Sequence, residues 1–246
     1  MWLNDEQVID SALLAYRESL SSSCPNYIVI DNLFNEAKLD DVIRVLQQPH
    51  DWQTQKHTYS ALYVDNTQWQ KTSNDQRFVQ RDVWQREAAS SSTSIYNTAS
   101  SNTVSSNNPY PNIAHDFLSF LRGDEFMSVL SRVFNVPLTD MNVAEPDINT
   151  NYFRLGTADF VEQHADDSPG RKVCMLLYLN KERNNNAGGE LVFLGKNDEP
   201  ISIAPLYNRC VLFDPSSKGS EHWVKALNSE NADEYRYNVT SWYWSE

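Results

Sequence analysis

Glycine is scarce in this chain, and what there is sits at one end. Of 7 glycines in 246 residues, only Gly123 precedes residue 156. Gly156, Gly170, Gly188, Gly189, Gly195 and Gly219 crowd the remainder. Turn-rich β structure is therefore expected in the C-terminal part, where tight turns need positive φ. Cysteine is scarce too: Cys24, Cys174 and Cys210 form no CxxC pair and no Cys/His zinc spacing, which excludes a disulfide framework and a zinc ribbon. Cys174 and Cys210 lie in apolar runs and read as small buried residues of a reducing compartment. Basic residues are in deficit, 20 against 33 acidic ones, for a formal charge of −13. That balance excludes a nucleic-acid-binding surface, which must neutralise phosphates, and a polybasic membrane anchor. No apolar run nears the ~20 residues of a membrane helix. The start, Met1-Trp2-Leu3-Asn4-Asp5-Glu6, has neither a basic segment nor an apolar one, so a cytoplasmic location is expected.

What is present is a hydrophobic content of 40% with 12% aromatics, enough for a real core in one domain spanning 1–246. Val8, Ile9, Ala12, Leu13 and Tyr16 recur at helical spacing, predicting a helix over about 5–20 that ends at Ser21-Ser22-Ser23-Cys24-Pro25. Tyr27-Ile28-Val29-Ile30 is a short β candidate. Asn35 then caps a helix with Leu39, Val42, Ile43 and Leu46 on one face. Residues 52–86 are ambiguous. The Ser/Asn-rich stretch 88–112 reads as a flexible insertion, either a passive linker or a lid. Phe117, Leu118 and Leu121 form one stripe. Phe126, Val129, Leu130 and Val133 form another, with Asp124 a candidate N-cap between them. From Asn151 onward the pattern becomes β, with strands expected at 151–155, 159–164, 172–179, 190–194, 201–203, 209–213, 222–227 and 235–244. So many short strands suggest a sandwich or barrel. Residues 1–140 then serve as helical support and 141–246 as the β core.

Two of the five histidines stand apart. His164-Ala165-Asp166 closes an expected strand, and alternation sends imidazole and carboxylate to the same side. His222 opens another strand. Two histidines and one carboxylate on one face of a metal, with the opposite positions open, suit a non-haem Fe(II) oxygenase. Arg236 follows in Tyr235-Arg236-Tyr237-Asn238-Val239-Thr240-Ser241-Trp242-Tyr243. A guanidinium there can hold a carboxylate bidentately, as Lys cannot. His-x-Asp alone is a common pattern with a bland reading, a histidine bonded to a nearby carboxylate at a turn. The ordered set of strand, His-x-Asp, Gly-Gly-Glu, His and Arg is far more specific.

At this point the chain resembles the Fe(II)/2-oxoglutarate dioxygenases, in the prolyl-hydroxylase-like branch that includes the oxygen-sensing prolyl hydroxylases and bacterial relatives. The text that carries the likeness is HADDSPGRKVCMLLYLN, AGGELVFL, IAPLYNRCVLF, EHWVKAL and YRYNVTSWYW. The resemblance implies an α+β, mainly β fold: a double-stranded β-helix (jelly roll, cupin-like) core backed by N-terminal helices. It implies His164, Asp166 and His222 as iron ligands, and Arg236 and Tyr178 as partners of the 2-oxoglutarate C5 carboxylate, with Thr240 beside them. Trp242 becomes an aromatic lining the active site and Arg171 a basic residue near the substrate mouth. Tyr178 and Trp242 also read as ordinary core aromatics, and Thr240 as a β-branched strand residue. Fe(II), 2-oxoglutarate and O₂ are the implied cofactor and co-substrates, with ascorbate as reductant.

One departure stands out. Ten positions before the first iron-binding histidine the oxygen-sensing enzymes carry Tyr-Pro-Gly, and this chain has Arg154-Leu155-Gly156. Arg154 either meets an anionic substrate or points to solvent. Retention of Asp166 implies hydroxylation, because a halogenating relative has a small residue there. The implied partner is a protein or peptide, attacked at a prolyl or other amino-acid side chain, or else a free or carrier-bound amino acid. A non-catalytic metal-binding β-barrel or a peptide-binding module is the competing class, and neither nucleic acid nor membrane is expected as partner.

Overall fold

The computed structural model describes residues 1–49, 51–86, 112–141, 143, 149–181, 188–228 and 234–245. Most of the Ser/Asn-rich stretch 88–112 lies outside them. Five helices are described: α1 (Asp10–Ser22), α2 (Glu36–Leu46), α3 (Asn66–Lys71), α4 (Ile113–Leu121) and α5 (Asp124–Phe134). The strands are β1 (Tyr27–Asp31), β2 (Trp52–Thr58), β3 (Arg77–Trp84), β4 (Thr150–Leu155), β5 (Phe160–His164), β6 (Arg171–Tyr178), β7 (Leu191–Phe193), β8 (Ile201–Ile203), β9 (Arg209–Phe213), β10 (His222–Val224) and β11 (Arg236–Trp244). Asn35 caps α2 by accepting from the Lys38 N–H. Two local expectations shift. A 3₁₀ turn at Asp5–Gln7 precedes α1, because Ile9 is extended and breaks the helical run. Gly123, not Asp124, is the N-cap of α5, and Asp124 contributes its charge from inside the first turn.

The strands join in the order β1-β9-β6-β11-β4-β3-β5-β10-β7-β8, with β2 added to β3. Every pairing is antiparallel. The sheet folds over on itself. Cys174, Leu176, Tyr178, Val211 and Phe213, from β6 and β9, pack against Leu191, Phe193 and Ile203 of β7 and β8. The alternate residues of the same strands, Val173, Met175, Leu177, Cys210 and Leu212, pack into the helical layer with Phe34, Phe117, Phe126 and Leu130. Period-2 alternation thus gives each strand one face for the helices and one for the barrel interior. The architecture is the expected α+β, mainly β, double-stranded β-helix with helices outside. Residues before 140 contribute more than helices, because β1, β2 and β3 are part of the sheet.

Tyrosine hydroxyls tie the layers. Tyr152 donates to the Ala114 carbonyl at 2.8 Å and Tyr243 to the Leu121 carbonyl at 2.9 Å, so both ends of α4 are pinned to the sheet. Cys174 and Cys210 are buried and all three cysteines are free. Among the described residues no helix is long and apolar enough to cross a membrane.

Candidate active site

β11 carries the alternation that builds the site. Tyr237, Val239 and Tyr243 face the helices. Arg236, Asn238, Thr240 and Trp242 face a cavity of about 780 Å³ inside the fold. The same cavity receives His164 from the end of β5, Asp166 just after it, and His222 from the start of β10. Antiparallel pairing sets His222 directly opposite His164, which fixes the two rings side by side with centroids 4.4 Å apart.

The nitrogens and oxygens of His164, Asp166 and His222 converge. His164 Nε2 is 3.8 Å from Asp166 Oδ1, and His222 Nε2 is 3.8 Å from Asp166 Oδ2. All three ligand atoms lie within 4.8 Å of one another. Two ligands held ~2.1 Å from one ion lie no more than ~4.2 Å apart, so the histidine–carboxylate pairs already suit a shared metal. The remaining pair needs at most a few tenths of an ångström from each ring. Each imidazole is oriented through its other nitrogen. Nδ1 of His164 faces the Glu162 carbonyl at 2.8 Å, and Nδ1 of His222 faces the Ser220 carbonyl at 3.0 Å. A carbonyl only accepts, so Nδ1 carries the proton and Nε2 presents its lone pair to the common point.

Electrostatics favours the ligand form. Burial alone would raise the Asp166 carboxyl, but His222, His164, the Trp242 indole and Arg171 outweigh it and hold the group below its ordinary value. Burial, with the neighbouring His164, pushes His222 down to about 4, so the ring is neutral at pH 7. A metal-free protein should feel this. Stability is intact above the ordinary imidazole value near 6.5 and falls as pH drops toward 4, because only the unfolded chain takes up the proton in that window. The loss for His222 is on the order of 3 kcal/mol. His57, buried and also pushed down to about 4, adds to it with the same sign. Thermal midpoints of chelator-treated protein at pH 7, 5.5 and 4.5 should fall in that order; a flat profile would contradict the burial argument.

Trp242 and Arg171 line the cavity and also contact Asp166. The Trp242 indole Nε1 donates to Asp166 Oδ2 at 2.8 Å. Arg171 Nη1 donates to the Asp166 carbonyl and lies 3.8 Å from its carboxylate, while its guanidinium rests over Trp242 and Trp244. Both line the cavity, and both fix the carboxylate. Trp242→Phe keeps the ring and removes the N–H, so metal affinity should drop about 10- to 100-fold with little change in melting temperature. A metal titration reads this directly.

At another wall, Arg236 is 1% exposed and Tyr178 is fully buried. Arg236 Nη1 donates to Asn238 Oδ1 at 3.0 Å, and Asn238 Nδ2 donates to Thr240 Oγ1 at 2.9 Å. Arg236 Nε and Nη2 and the Tyr178 hydroxyl have no partner. Burial lowers the Arg236 guanidinium and raises the Tyr178 phenol from their ordinary values. Buried donors without partners cost free energy, and the two on Arg236, which lines the cavity, suit a carboxylate. Asn238 was not among the expected site residues, although its place between Arg236 and Thr240 at i+2 spacing marks it. His57 and Arg81, from β2 and β3, also line the cavity and came from the stretch whose pattern is ambiguous.

Arg154 does not reach the cavity. It shares the outer face of β4 with Tyr152, pairs with Asp82 at 3.0 Å, and is covered by Trp52 and Tyr235. It lines no part of the cavity, and its side chain is only 12% exposed.

A jelly roll with a two-histidine, one-carboxylate centre and an unpaired arginine in the same cavity defines a class, the non-haem iron oxygenases. Residues 150–244 match the family model of the 2OG-Fe(II) oxygenase superfamily, and over that span the chain is similar to it. It is 29% identical over 126 residues, 49% of its length, to prolyl 3-hydroxylase OGFOD1 of Xenopus laevis. The match spans only 23% of that relative. A prolyl-4-hydroxylase of Pseudomonas putida shares the fold at a TM-score of 0.57 and 14% identity, over 95% of this chain and 99% of that one. A Trichoplax adhaerens prolyl hydroxylase, solved with a peptide fragment of the hypoxia inducible factor oxygen degradation domain, does so at 0.58 and 17%, over 98% and 96%. The chain shares its fold with both of these prolyl hydroxylases. The superfamily's Fe(II), 2-oxoglutarate and O₂ fit the donor set and the unpartnered Arg236 and Tyr178 atoms.

Proposed function

We propose that this protein is a 2-oxoglutarate-dependent Fe(II) oxygenase that hydroxylates an unactivated C–H bond, with a prolyl or other amino-acid side chain as its target. One observation carries the reading: the unpartnered buried donors of Arg236 share a cavity with the convergent His164, Asp166 and His222, and the Tyr178 ring lies against that guanidinium. Without a carboxylate ligand those donors are a standing cost, and without a metal the convergent lone pairs have no task.

Each residue then has a physical role. His164, Asp166 and His222 hold the metal from one side and leave the cavity side open. Trp242 and Arg171 keep Asp166 ionised and aimed. Arg236 Nε and Nη2, with the Tyr178 hydroxyl, orient the distal carboxylate of 2-oxoglutarate, and Asn238 fixes the plane of the guanidinium. Leu176, Leu191 and Val161 give the cavity apolar wall, which limits water at the reacting groups. Iron, when bound with 2-oxoglutarate and O₂, supplies the oxidising power for the C–H bond, while the protein supplies binding and orientation.

The test is succinate formation from 2-oxoglutarate with a panel of prolyl peptides and free amino acids. Succinate should require Fe(II) and fall at least about a thousandfold in His164→Ala, because two remaining ligands hold the metal poorly. Succinate formation that persists without Fe(II), or in His164→Ala, would remove the metal centre from the account. A non-catalytic barrel would bind metal and form no succinate.

A further inference from the structure

The cavity holds three guanidinium groups, and only two have work in the reading above. Arg171 is committed to Asp166 and Arg236 to the co-substrate. The third, Arg81, comes from β3 and faces the cavity because its neighbour Asp82 faces outward to Arg154. Among the described residues Arg81 forms no ion pair. Its one hydrogen bond is Nε donating to the neutral Gln55 Oε1 at 3.1 Å, from the residue directly opposite on β2. Its guanidinium lies over the Phe153 ring, 3.6 Å from the centroid. The plane of the fork is thus set by Gln55 and Phe153, and both terminal nitrogens remain free.

Its place differs from that of Arg236. Arg236 sits 1% exposed on β11, against Tyr178 on β6. Arg81 is half-buried on β3, beside β2, whose continuation through Tyr59, Leu62 and Tyr63 lines the cavity with 53%, 61% and 66% exposure and forms its mouth. Burial lowers Arg81 to about 10, with Asp166 and Tyr63 acting against that shift and Arg236 adding to it, so the cation persists at pH 7. An unpaired, pre-oriented fork between mouth and metal lies in the path of whatever enters.

We propose that Arg81 anchors a carboxylate carried by the substrate itself, the free carboxyl of an amino acid or of a peptide's C-terminal residue. This rests on the function proposed above and sharpens its substrate class. A bidentate pair would fix the substrate at one end and hold its side chain toward the metal, so an internal residue of a peptide, with its carboxyl locked in an amide, is a poor fit. Gln55 and Phe153 act as positioning residues for the fork.

The experiment uses full-length protein loaded with Fe(II) and saturating 2-oxoglutarate without O₂, so that no turnover intervenes. The twenty amino acids and tetrapeptides ending in each are titrated calorimetrically, every one as free acid and as primary amide. At least one free acid should bind about tenfold or more tighter than its amide. Arg81→Gln should erase that preference while 2-oxoglutarate affinity stays within about twofold, and Arg81→Lys should keep part of it. Free amino acids binding without their tetrapeptides, or the reverse, identifies which source of carboxylate is used. The assignment is overturned if no acid is preferred to its amide, if Arg81→Gln keeps the preference, or if Arg81→Gln weakens 2-oxoglutarate as Arg236→Ala does. Failure of wild type to bind 2-oxoglutarate would instead overturn the proposed function.

Discussion

Arg236→Ala is expected to raise the 2-oxoglutarate concentration for half-maximal succinate formation by about a hundredfold or more. Two charge-assisted hydrogen bonds from a planar fork are at stake, each worth ~1.5–3 kcal/mol, and every 1.4 kcal/mol is tenfold in affinity. The sign of the stability change separates a binding role from a structural one. A buried guanidinium with Nε and Nη2 unpartnered costs the ligand-free protein free energy, so its removal should leave the melting temperature unchanged or higher. A residue that served packing alone would lower it. Arg236→Lys should recover only part of the affinity, because an ammonium cannot present two parallel donors. An unchanged 2-oxoglutarate dependence in Arg236→Ala would place the co-substrate elsewhere.

Gly219→Ala is expected to cause a large loss of stability from a single methyl group. Gly219 has φ of +82°, and a Cβ there would sit 2.3 Å from the Gly195 carbonyl oxygen and 2.7 Å from its carbon. The left-handed backbone costs a non-glycine residue ~1–2 kcal/mol, and the clash is with backbone, which cannot rotate away. The Gly195 N–H also donates to the Gly219 carbonyl at 3.0 Å, so the two segments cannot part without losing a hydrogen bond. A cost of about 3 kcal/mol or more is expected in urea unfolding. Metal affinity should fall with it, because Gly219 lies one residue before Ser220, whose carbonyl orients His222. A loss under ~0.5 kcal/mol, the ordinary scatter of harmless substitutions, would contradict the turn geometry.

The C-terminal strands were legible because each has two buried faces or a clean alternation. The run Val173–Leu179 is apolar throughout, and β11 alternates between helical and cavity faces. The crowding of glycine in that half marked turns, and Gly170, Gly188, Gly189, Gly195 and Gly219 all have positive φ. Residues 52–86 were not legible for the opposite reason. Gln53, Thr54, Gln55 and Lys56 of β2 are polar on both faces, and none of them is a buried core residue. The cavity-facing Arg81 looks, in sequence, like a solvent-facing residue. A polar cavity erases the very pattern that reveals a strand. Arg154 failed differently. Alternation puts it with Tyr152 and opposite Phe153 and Leu155, but both faces of β4 are largely buried, so nothing local says which one meets the site. For Trp242 the strand and face were readable, whereas the indole N–H reaching Asp166 is a fact of tertiary packing across 76 residues of chain.

The central claim is that one cavity binds a metal at His164, Asp166 and His222 and a dicarboxylate at Arg236 and Tyr178. Calorimetric titration of anaerobic Fe(II)-loaded protein with 2-oxoglutarate tests both halves together. The account predicts saturable binding of one 2-oxoglutarate per chain, weakened at least about a hundredfold in Arg236→Ala and sharply reduced when the metal is withheld or His222 is replaced by Ala. Binding of equal strength in all four samples, or none in wild type, would contradict it.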